Sequence, residues 1–292
     1  MQKYFEDDRK IFFNRAVSGS YPPGSVFKLV TALAGLDSAS LDEDKTVLDE
    51  GVLKVGEYEY ANWYFTQYGR TEGEVDLIKA IARSNDIYFY KAAEWIGADN
   101  LAKYARQLGL GQQTGVELTP EAKGLVPDPA WKEKTLGERW YLGNTYHLGI
   151  GQGDILVSPI QVAQLVQAVS NQGEMCQPTV INQENKVNCQ GTGLKEEHLN
   201  LVLEGMIQAC SEGGTAYPLF KYNQDLPSDL SPLDKIDQGG IACKTGTAEF
   251  GSADEQGYRK THGWLAAVVG IDKQSLTDQY QQLNCSQDTE DQ

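Results

Sequence analysis

The chain has 292 residues and a net charge of −16, from 25 lysine and arginine residues against 41 aspartate and glutamate residues. A chain this acidic is poorly suited to nucleic acid or an anionic membrane surface, because both attract positive charge. Its length allows one large domain or two small ones with a substantial core.

The five cysteines include no Cys-x-x-Cys pair, which argues against a zinc site. Their odd number excludes complete disulfide pairing within one chain. Cys176 and Cys189 are close enough in the sequence to bridge a hairpin. Cys243 is typical of a buried strand residue rather than of a nucleophile. We predict no metal and no cofactor.

Residues 1–20 form a polar lead-in with a short apolar patch at residues 11–13. The first eight residues are too polar and acidic for a signal peptide, and no apolar run is long enough to span a bilayer. These features alone would assign the chain to the cytosol.

Residues 21–28 read Tyr-Pro-Pro-Gly-Ser-Val-Phe-Lys, and the prolines and glycine predict a turn. Apolar residues then recur at helical spacing as far as about residue 41, which places Ser25 at or near a helix N-terminus. Lys28 follows one turn later on the same face. A hydroxyl beside an amine suits a nucleophile with its base. An ordinary serine cap with an exposed lysine would give the same tetrapeptide.

Residues 47–66 alternate in polarity and carry several aromatic residues, which predicts short strands with a small satellite core. A helix is predicted over residues 73–82, ending at Ser84-Asn85-Asp86. This tripeptide is either a second chemical motif or a simple capped turn. One long helix is predicted from residue 87 to residue 108, where glycines stop it.

Residues 112–145 look irregular, and a long loop of this kind is usually functional or forms a cleft wall. Helices are predicted over residues 159–170, with Ser158 as cap, and over residues 195–210. Residues 178–187 are predicted to form a short hairpin, and residues 212–238 a polar loop.

Residues 239–249 and 261–271 predict a β-hairpin. Within it, Lys244, Thr245 and Thr247 offer a cation and two hydroxyls, which suit a carboxylate. Gly246 would let another group approach the strand closely. The alternative is an edge strand with a solvated lysine.

In this order, Ser25-x-x-Lys28, Ser84-Asn85-Asp86 and Lys244-Thr245-Gly246 resemble the three motifs of serine β-lactamases and penicillin-binding proteins. Residues 14–25, Gly-Ile-Gly-Gln-Gly at 149–153 and Ser-Pro-Ile-Gln-Val-Ala at 158–163 resemble further signatures of class B penicillin-binding proteins. Asp86 at the third position of its motif resembles the elongation branch. The chain is thus identified as a catalytic-domain fragment of that family.

The resemblance implies an α+β fold, with an antiparallel sheet flanked by helices and a helical subdomain. The early strands and the closing strand and helix of the family are not recognisable in the sequence, so some sheet strands are expected to be missing. Residues 1–272 would form a partial transpeptidase domain. Residues 273–292 would be a polar, disordered tail.

The resemblance also implies a reaction, the cross-linking of peptidoglycan stem peptides through a serine ester. Ser25 would be the nucleophile, Lys28 its base and Ser84 a proton relay. Asp86 would accept a hydrogen bond from Lys28 or a substrate amide, and Lys244 would favour a neutral Lys28. The remaining site residues are substrate-binding Asn85, Thr245, Gly246 and Thr247, with the N–H groups of Ser25 and Thr247 as oxyanion hole.

The implied partners are stem peptides ending in D-Ala-D-Ala, β-lactams and a glycosyltransferase. The implied location is the outer side of the cytoplasmic membrane, with the anchor missing from this chain. Two alternatives remain open: a class D-like β-lactamase or D,D-carboxypeptidase, and a non-catalytic β-lactam sensor or cell-wall scaffold. His147 and His262 could suggest a serine–histidine triad, but no Gly-x-Ser-x-Gly elbow accompanies them.

Overall fold

The structure is a computed structural model that describes residues 7, 10–181, 188–252 and 259–270. The helices are α1 (Arg15–Ser18), α2 (Lys28–Asp37), α3 (Trp63–Tyr68), α4 (Leu77–Arg83), α5 (Asp86–Ile96), α6 (Ala98–Gln107), α7 (Pro129–Leu136), α8 (Leu142–Gly149), α9 (Pro159–Ser170), α10 (Glu196–Ala209) and α11 (Pro232–Asp237), with 3₁₀ turns at Gly24–Phe27 and Tyr217–Tyr222. The strands are β1 (Val47–Asp49), β2 (Val52–Val55), β3 (Tyr58–Ala61), β4 (Gly73–Val75), β5 (Glu174–Cys176), β6 (Cys189–Gly191), β7 (Ile241–Phe250) and β8 (Lys260–Val269).

The strands pair antiparallel as β1–β4, β2–β3, β5–β6 and β7–β8. The β7–β8 hairpin is the longest pair, with Ile241 opposite Val269 and Phe250 opposite Lys260. The predicted hairpin is therefore confirmed, with bounds that differ by one or two residues. Within the described ranges no third strand joins it.

Helix α2 lies at the centre of the main core. Every residue from Lys28 to Leu36 is buried in it, and the helix packs against α5, α6 and α10. Helix α10 in turn packs against α4 and β7. The helix that begins with Lys28 is thus fixed from several sides, and so is the strand that carries Lys244.

The long helix predicted over residues 87–108 is two helices. Gly97 separates α5 from α6 with φ 80° and ψ 156°, a conformation that interrupts a helix. The predicted helix over residues 73–82 also begins later than expected. Gly73–Val75 pairs with β1, and the Asp76 side chain caps α4 by accepting from the Lys79 N–H.

The predicted irregular stretch at residues 112–145 contains α7 and the start of α8. Pro129 is compatible with the first turn of α7, and Asp128 caps that helix by accepting from the Trp131 N–H. Residues 212–238 likewise contain the second 3₁₀ turn and α11. Both segments therefore contain helices that their sequences did not predict.

Among the residues that the structure describes, two disulfides link strands to neighbouring elements. Cys176–Cys189 links β5 to β6 across a Cα–Cα distance of 3.9 Å, which confirms the predicted bridge. Cys210–Cys243 joins the end of α10 to β7, with Cα atoms 5.9 Å apart. Cys243 is buried as predicted, but its partner was not foreseen.

Several predictions fall partly or wholly outside the described residues. They concern the polar tail at 273–292 and most of the hairpin at 178–187, which lies between β5 and β6 in the sequence. The boundary of the proposed domain at residue 272 stays a prediction. Within the described ranges, no helix combines the length and apolar character needed to cross a bilayer.

Candidate active site

The three motifs meet at one cleft of about 530 Å³. Ser25, Ser84, Asp86, Thr245 and Thr247 line it. A larger groove of about 770 Å³ lies between α9 and β8, but it contains none of the predicted site residues. The smaller cleft is therefore the candidate site, because the predicted site residues line it.

Ser25 stands on the 3₁₀ turn immediately before α2 rather than within an α-helix. The turn is held by a hydrogen bond of 2.9 Å from the Gly24 N–H to the Gly151 carbonyl. It also packs on β7, where a Cβ on Gly246 would lie 3.1 Å from the Pro23 oxygen. The close approach predicted for Gly246 is thus confirmed, and the approaching group is the segment that carries Ser25.

Lys28 begins α2 and is fully buried. Its Nζ donates to the Asp86 Oδ1 at 2.6 Å, the Ser84 carbonyl at 2.8 Å and the Ser84 Oγ at 3.3 Å. Burial lowers the pKa of Lys28, and the adjacent Asp86 opposes this effect. The pKa of this amine is therefore lowered by desolvation, and the Asp86 carboxylate offsets part of that decrease.

Ser84 ends α4 in the left-handed conformation, with φ 53° and ψ 40°. Such backbone in a non-glycine residue is uncommon and often occurs at functional sites. Its Oγ accepts from Lys28 at 3.3 Å and from Lys244 Nζ at 2.9 Å. Because both lysines are donors, the Ser84 hydroxyl proton remains available to an acceptor in the cleft.

Lys244 is also fully buried, and its Nζ donates to the Thr245 carbonyl at 3.0 Å as well as to Ser84. Burial holds the pKa of Lys244 well below its usual range, and the neighbouring charge of Lys28 acts in the same direction. The alternative of a solvated edge-strand lysine is therefore wrong.

Asn85 is not brought into the cleft. Its side chain is buried and caps α5, where the Oδ1 accepts from the Tyr88 N–H at 2.9 Å. Its Nδ2 donates to Asp49 Oδ2 at 2.8 Å. The predicted contact of this side chain with substrate is therefore corrected to a structural role, since its amide is already engaged beneath the site.

Asp86 uses both carboxylate oxygens. While Oδ1 accepts from Lys28, Oδ2 accepts from the Trp63 N–H at 2.9 Å, and its own N–H donates to Asn62 at 3.2 Å. Of the two partners predicted for this carboxylate, the structure brings Lys28 to it.

Replacing Asp86 with asparagine is expected to shift the pH dependence of serine acylation. The carboxylate raises the pKa of Lys28, so its neutralisation lowers that pKa further. If neutral Lys28 is the base, the rate rises with pH through this pKa, and the rising limb moves to lower pH in the variant. Acylation rates with benzylpenicillin across the pH range measure the shift. A limb that stays in place would show that another group controls it.

Thr245 and Thr247 lie on the cleft side of β7. The Thr245 Oγ1 hydrogen-bonds to the Thr215 Oγ1 at 2.8 Å, and Thr215 also lines the cleft. Thr247 is exposed, and its carbonyl accepts from Gln152 Nε2 at 3.3 Å. Sequence analysis missed Thr215, because nothing in the loop after α10 marks it as a neighbour of Thr245.

Sequence analysis also missed Asp49, a buried carboxylate beneath the site. It accepts from the Gly51 N–H at 2.7 Å, Asn62 Nδ2 at 2.7 Å, Asn85 Nδ2 at 2.8 Å and the Glu72 N–H at 3.2 Å. Asn62 in turn accepts from the Asp86 N–H. Asp49 therefore fixes the backbone that presents the second motif.

Changing Asp49 to asparagine should lower the free energy of unfolding by about 3 kcal/mol, because an amide group would then face donors that need an acceptor. Denaturant unfolding measures the loss. The control is Glu50→Gln, since Glu50 is exposed and adjacent. Its effect should stay within about 0.5 kcal/mol. Equal losses in both variants would contradict the role assigned to Asp49.

The histidine alternative is wrong within the described residues. The His262 ring stacks on Phe250 at 4.0 Å between centroids and meets Tyr21 edge-on. His147 packs near Tyr60, and burial lowers its pKa. Neither histidine lines the cleft with Ser25.

A serine, two buried lysines and a serine hydroxyl that accepts from both lysines form the side-chain set of a Ser-x-x-Lys site. The family described as the penicillin-binding protein transpeptidase domain matches residues 2–278. The chain belongs to this family. The predicted fold class, an α+β fold of the serine β-lactamase and penicillin-binding type, is confirmed.

Several of the similar proteins are named MrdA or PBP2. The peptidoglycan D,D-transpeptidase MrdA of Acinetobacter baumannii is 31% identical over 269 residues, which cover 87% of this chain and 36% of that protein. A complex of penicillin-binding protein PBP2 with MreC from Helicobacter pylori gives TM-score 0.77 at 30% identity, covering 92% of this chain and 47% of that one.

The structure of a peptidoglycan synthase complex, concerned with the coordination of polymerization and crosslinking, gives TM-score 0.73 at 26% identity and covers 92% of this chain and 46% of that one. The chain therefore spans less than half the length of each of these three proteins.

Proposed function

We propose that this chain is the catalytic part of a peptidoglycan D,D-transpeptidase. The observation that carries the proposal is the hydrogen-bonded set of Lys28, Ser84 and Lys244 in the cleft lined by Ser25. Its Ser84 Oγ lies 3.3 Å from one lysine Nζ and 2.9 Å from the other. The names of the similar proteins support the same reaction.

The donor is a stem peptide ending in D-Ala-D-Ala. Its terminal carboxylate binds the hydroxyls of Thr245 and Thr215 beside Lys244, since hydroxyl donors suit an anion. Its penultimate carbonyl then lies beside Ser25. The N–H groups of Ser25 and Thr247 stabilise the oxyanion that forms on this carbonyl.

Acylation begins when the Ser25 Oγ attacks the penultimate carbonyl carbon and neutral Lys28 takes its proton. The tetrahedral intermediate then expels the terminal D-Ala. The Ser84 hydroxyl donates a proton to the departing amine and regains one from the lysine that received it. The products are a Ser25 ester and free D-Ala.

Transfer reverses these steps with a new amine. An amine of a neighbouring stem peptide attacks the ester carbonyl, loses its proton through Ser84 and the lysines, and leaves Ser25 as a free hydroxyl. The new amide is the cross-link.

A β-lactam resembles the donor and acylates Ser25 without releasing a fragment, because its leaving amine remains tethered.

The full-length protein would act on the outer side of the cytoplasmic membrane with a glycosyltransferase partner, in cell elongation. The resemblance to MrdA and to the peptidoglycan synthase complex supports this part of the proposal. Residues 1–272 would then be the transpeptidase portion of that longer protein.

The lifetime of the benzylpenicillin adduct tests the function, with intact-protein mass spectrometry as the readout. A persistent adduct is expected for a transpeptidase, and rapid loss to water would indicate a β-lactamase instead. A D-Ala-D-Ala donor and an amine acceptor complete the test. Transfer of the peptide to the amine would support a transpeptidase. Hydrolysis without transfer would indicate a carboxypeptidase, and no turnover would indicate a sensor or scaffold.

A further inference from the structure

The charges that line the cleft are unevenly compensated. Of the described lining residues, only Asp86 and Glu249 carry a formal charge. Asp86 is paired with Lys28 at 2.6 Å. Glu249 is exposed and has no ion-pair partner within the described ranges. The cleft therefore presents one uncompensated carboxylate.

Glu249 lies on the same strand face as the two threonines of the site. Along β7, Thr245, Thr247 and Glu249 alternate with the buried Gly246 and Ala248. Successive residues on one face of a strand are about 7 Å apart. The cleft side of β7 thus carries the Thr245 hydroxyl at one end and the Glu249 carboxylate at the other, with Thr247 between them.

This polarity orients a bound donor peptide, if the proposed function holds. The terminal carboxylate lies at Thr245, and the carbonyl under attack lies beside Ser25 and Thr247. The peptide upstream of that carbonyl must then continue in the direction of Glu249. An extended residue spans about 3.3–3.6 Å, so the residue before the two D-alanines comes within reach of the Glu249 side chain.

We propose that Glu249 is a specificity-determining residue that binds an ammonium group of the donor stem peptide. The amine acceptor is itself a stem peptide, and donor and acceptor strands are copies of one polymer. The donor therefore carries the same amine upstream of D-Ala-D-Ala. Glu249 attracts this group when it is protonated, and so favours donors whose own amine is free.

Three penicillins that differ at one carbon test this proposal. Benzylpenicillin has no charge on its side chain, ampicillin has an ammonium group there, and carbenicillin has a carboxylate. The carbon corresponds to the α-carbon of the residue upstream of the penultimate D-alanine. Acylation alone is measured, by intact-protein mass spectrometry, so no acceptor amine takes part.

In Glu249→Gln, the acylation rate with ampicillin relative to benzylpenicillin is expected to fall about two- to five-fold, the range for an exposed charge pair. The rate with carbenicillin relative to benzylpenicillin should rise by a similar factor. Glu249→Asp should keep both ratios near those of the unmodified protein. Glu133→Gln is the control for net charge, because Glu133 is exposed on α7 and does not line the cleft.

Ratios that are equal in the unmodified protein and in Glu249→Gln would overturn this inference while leaving the proposed function standing. Equal changes in Glu133→Gln would overturn it too, because net charge would then explain the effect. Failure of benzylpenicillin to acylate the unmodified protein would overturn the proposed function and this inference with it. A matched pair of peptide donors, with lysine or norleucine before D-Ala-D-Ala, should show the same preference for the cation.

Discussion

Replacing Ser25 with alanine is expected to abolish the covalent adduct with benzylpenicillin. The rate of acylation should fall by at least about 10³-fold, since no other group can form the ester. Ser25 is half-buried on a short turn, and the turn is held by the backbone contact between Gly24 and Gly151. The variant should therefore fold, and its thermal unfolding should stay close to that of the unmodified protein.

The matched control is Ser20→Ala, which removes an exposed hydroxyl from the same segment outside the cleft. Its adduct should form at the unmodified rate. Peptide mapping of the adduct should place the added mass on the peptide that contains Ser25. An adduct that survives in a folded Ser25→Ala protein would show that the nucleophile is another residue.

The sequence was sufficient for the three motifs because each is local and their order along the chain is distinctive. The structure adds the distances that connect them. Lys28 and Lys244 are 216 positions apart, yet both donate to the Ser84 Oγ. A buried position for Lys244 could be expected from the apolar residues before it, but the shared hydroxyl could not.

The supporting residues were harder to predict because their partners are distant in the chain. Asp49 lies in a segment predicted only as short strands, and only the fold brings Asn85 to its carboxylate. Thr215 and the Cys210–Cys243 bridge depend on how α10 packs against β7. Among the local errors, Gly97 was overlooked because the apolar periodicity continues on both sides of it.

Replacing Lys28 with methionine is expected to slow acylation by about 10²- to 10⁴-fold, the usual contribution of a general base. Methionine fills a similar volume in this buried position, so packing around α2 is retained. The rate should also lose the rising limb through the Lys28 pKa, because no amine remains there to deprotonate. Acylation kinetics over the pH range, measured by intact mass, test both effects.

The loss must be separated from a loss of stability, because Lys28→Met leaves the mostly buried Asp86 carboxylate without its cation. Breaking such a pair costs about 3 kcal/mol, which denaturant unfolding measures. The double variant Lys28→Met/Asp86→Asn removes the unpaired charge, so its stability should recover while acylation stays slow. Recovery of both properties would mean that Lys28 only supports the fold. Recovery of stability alone assigns the proton transfer to its amine.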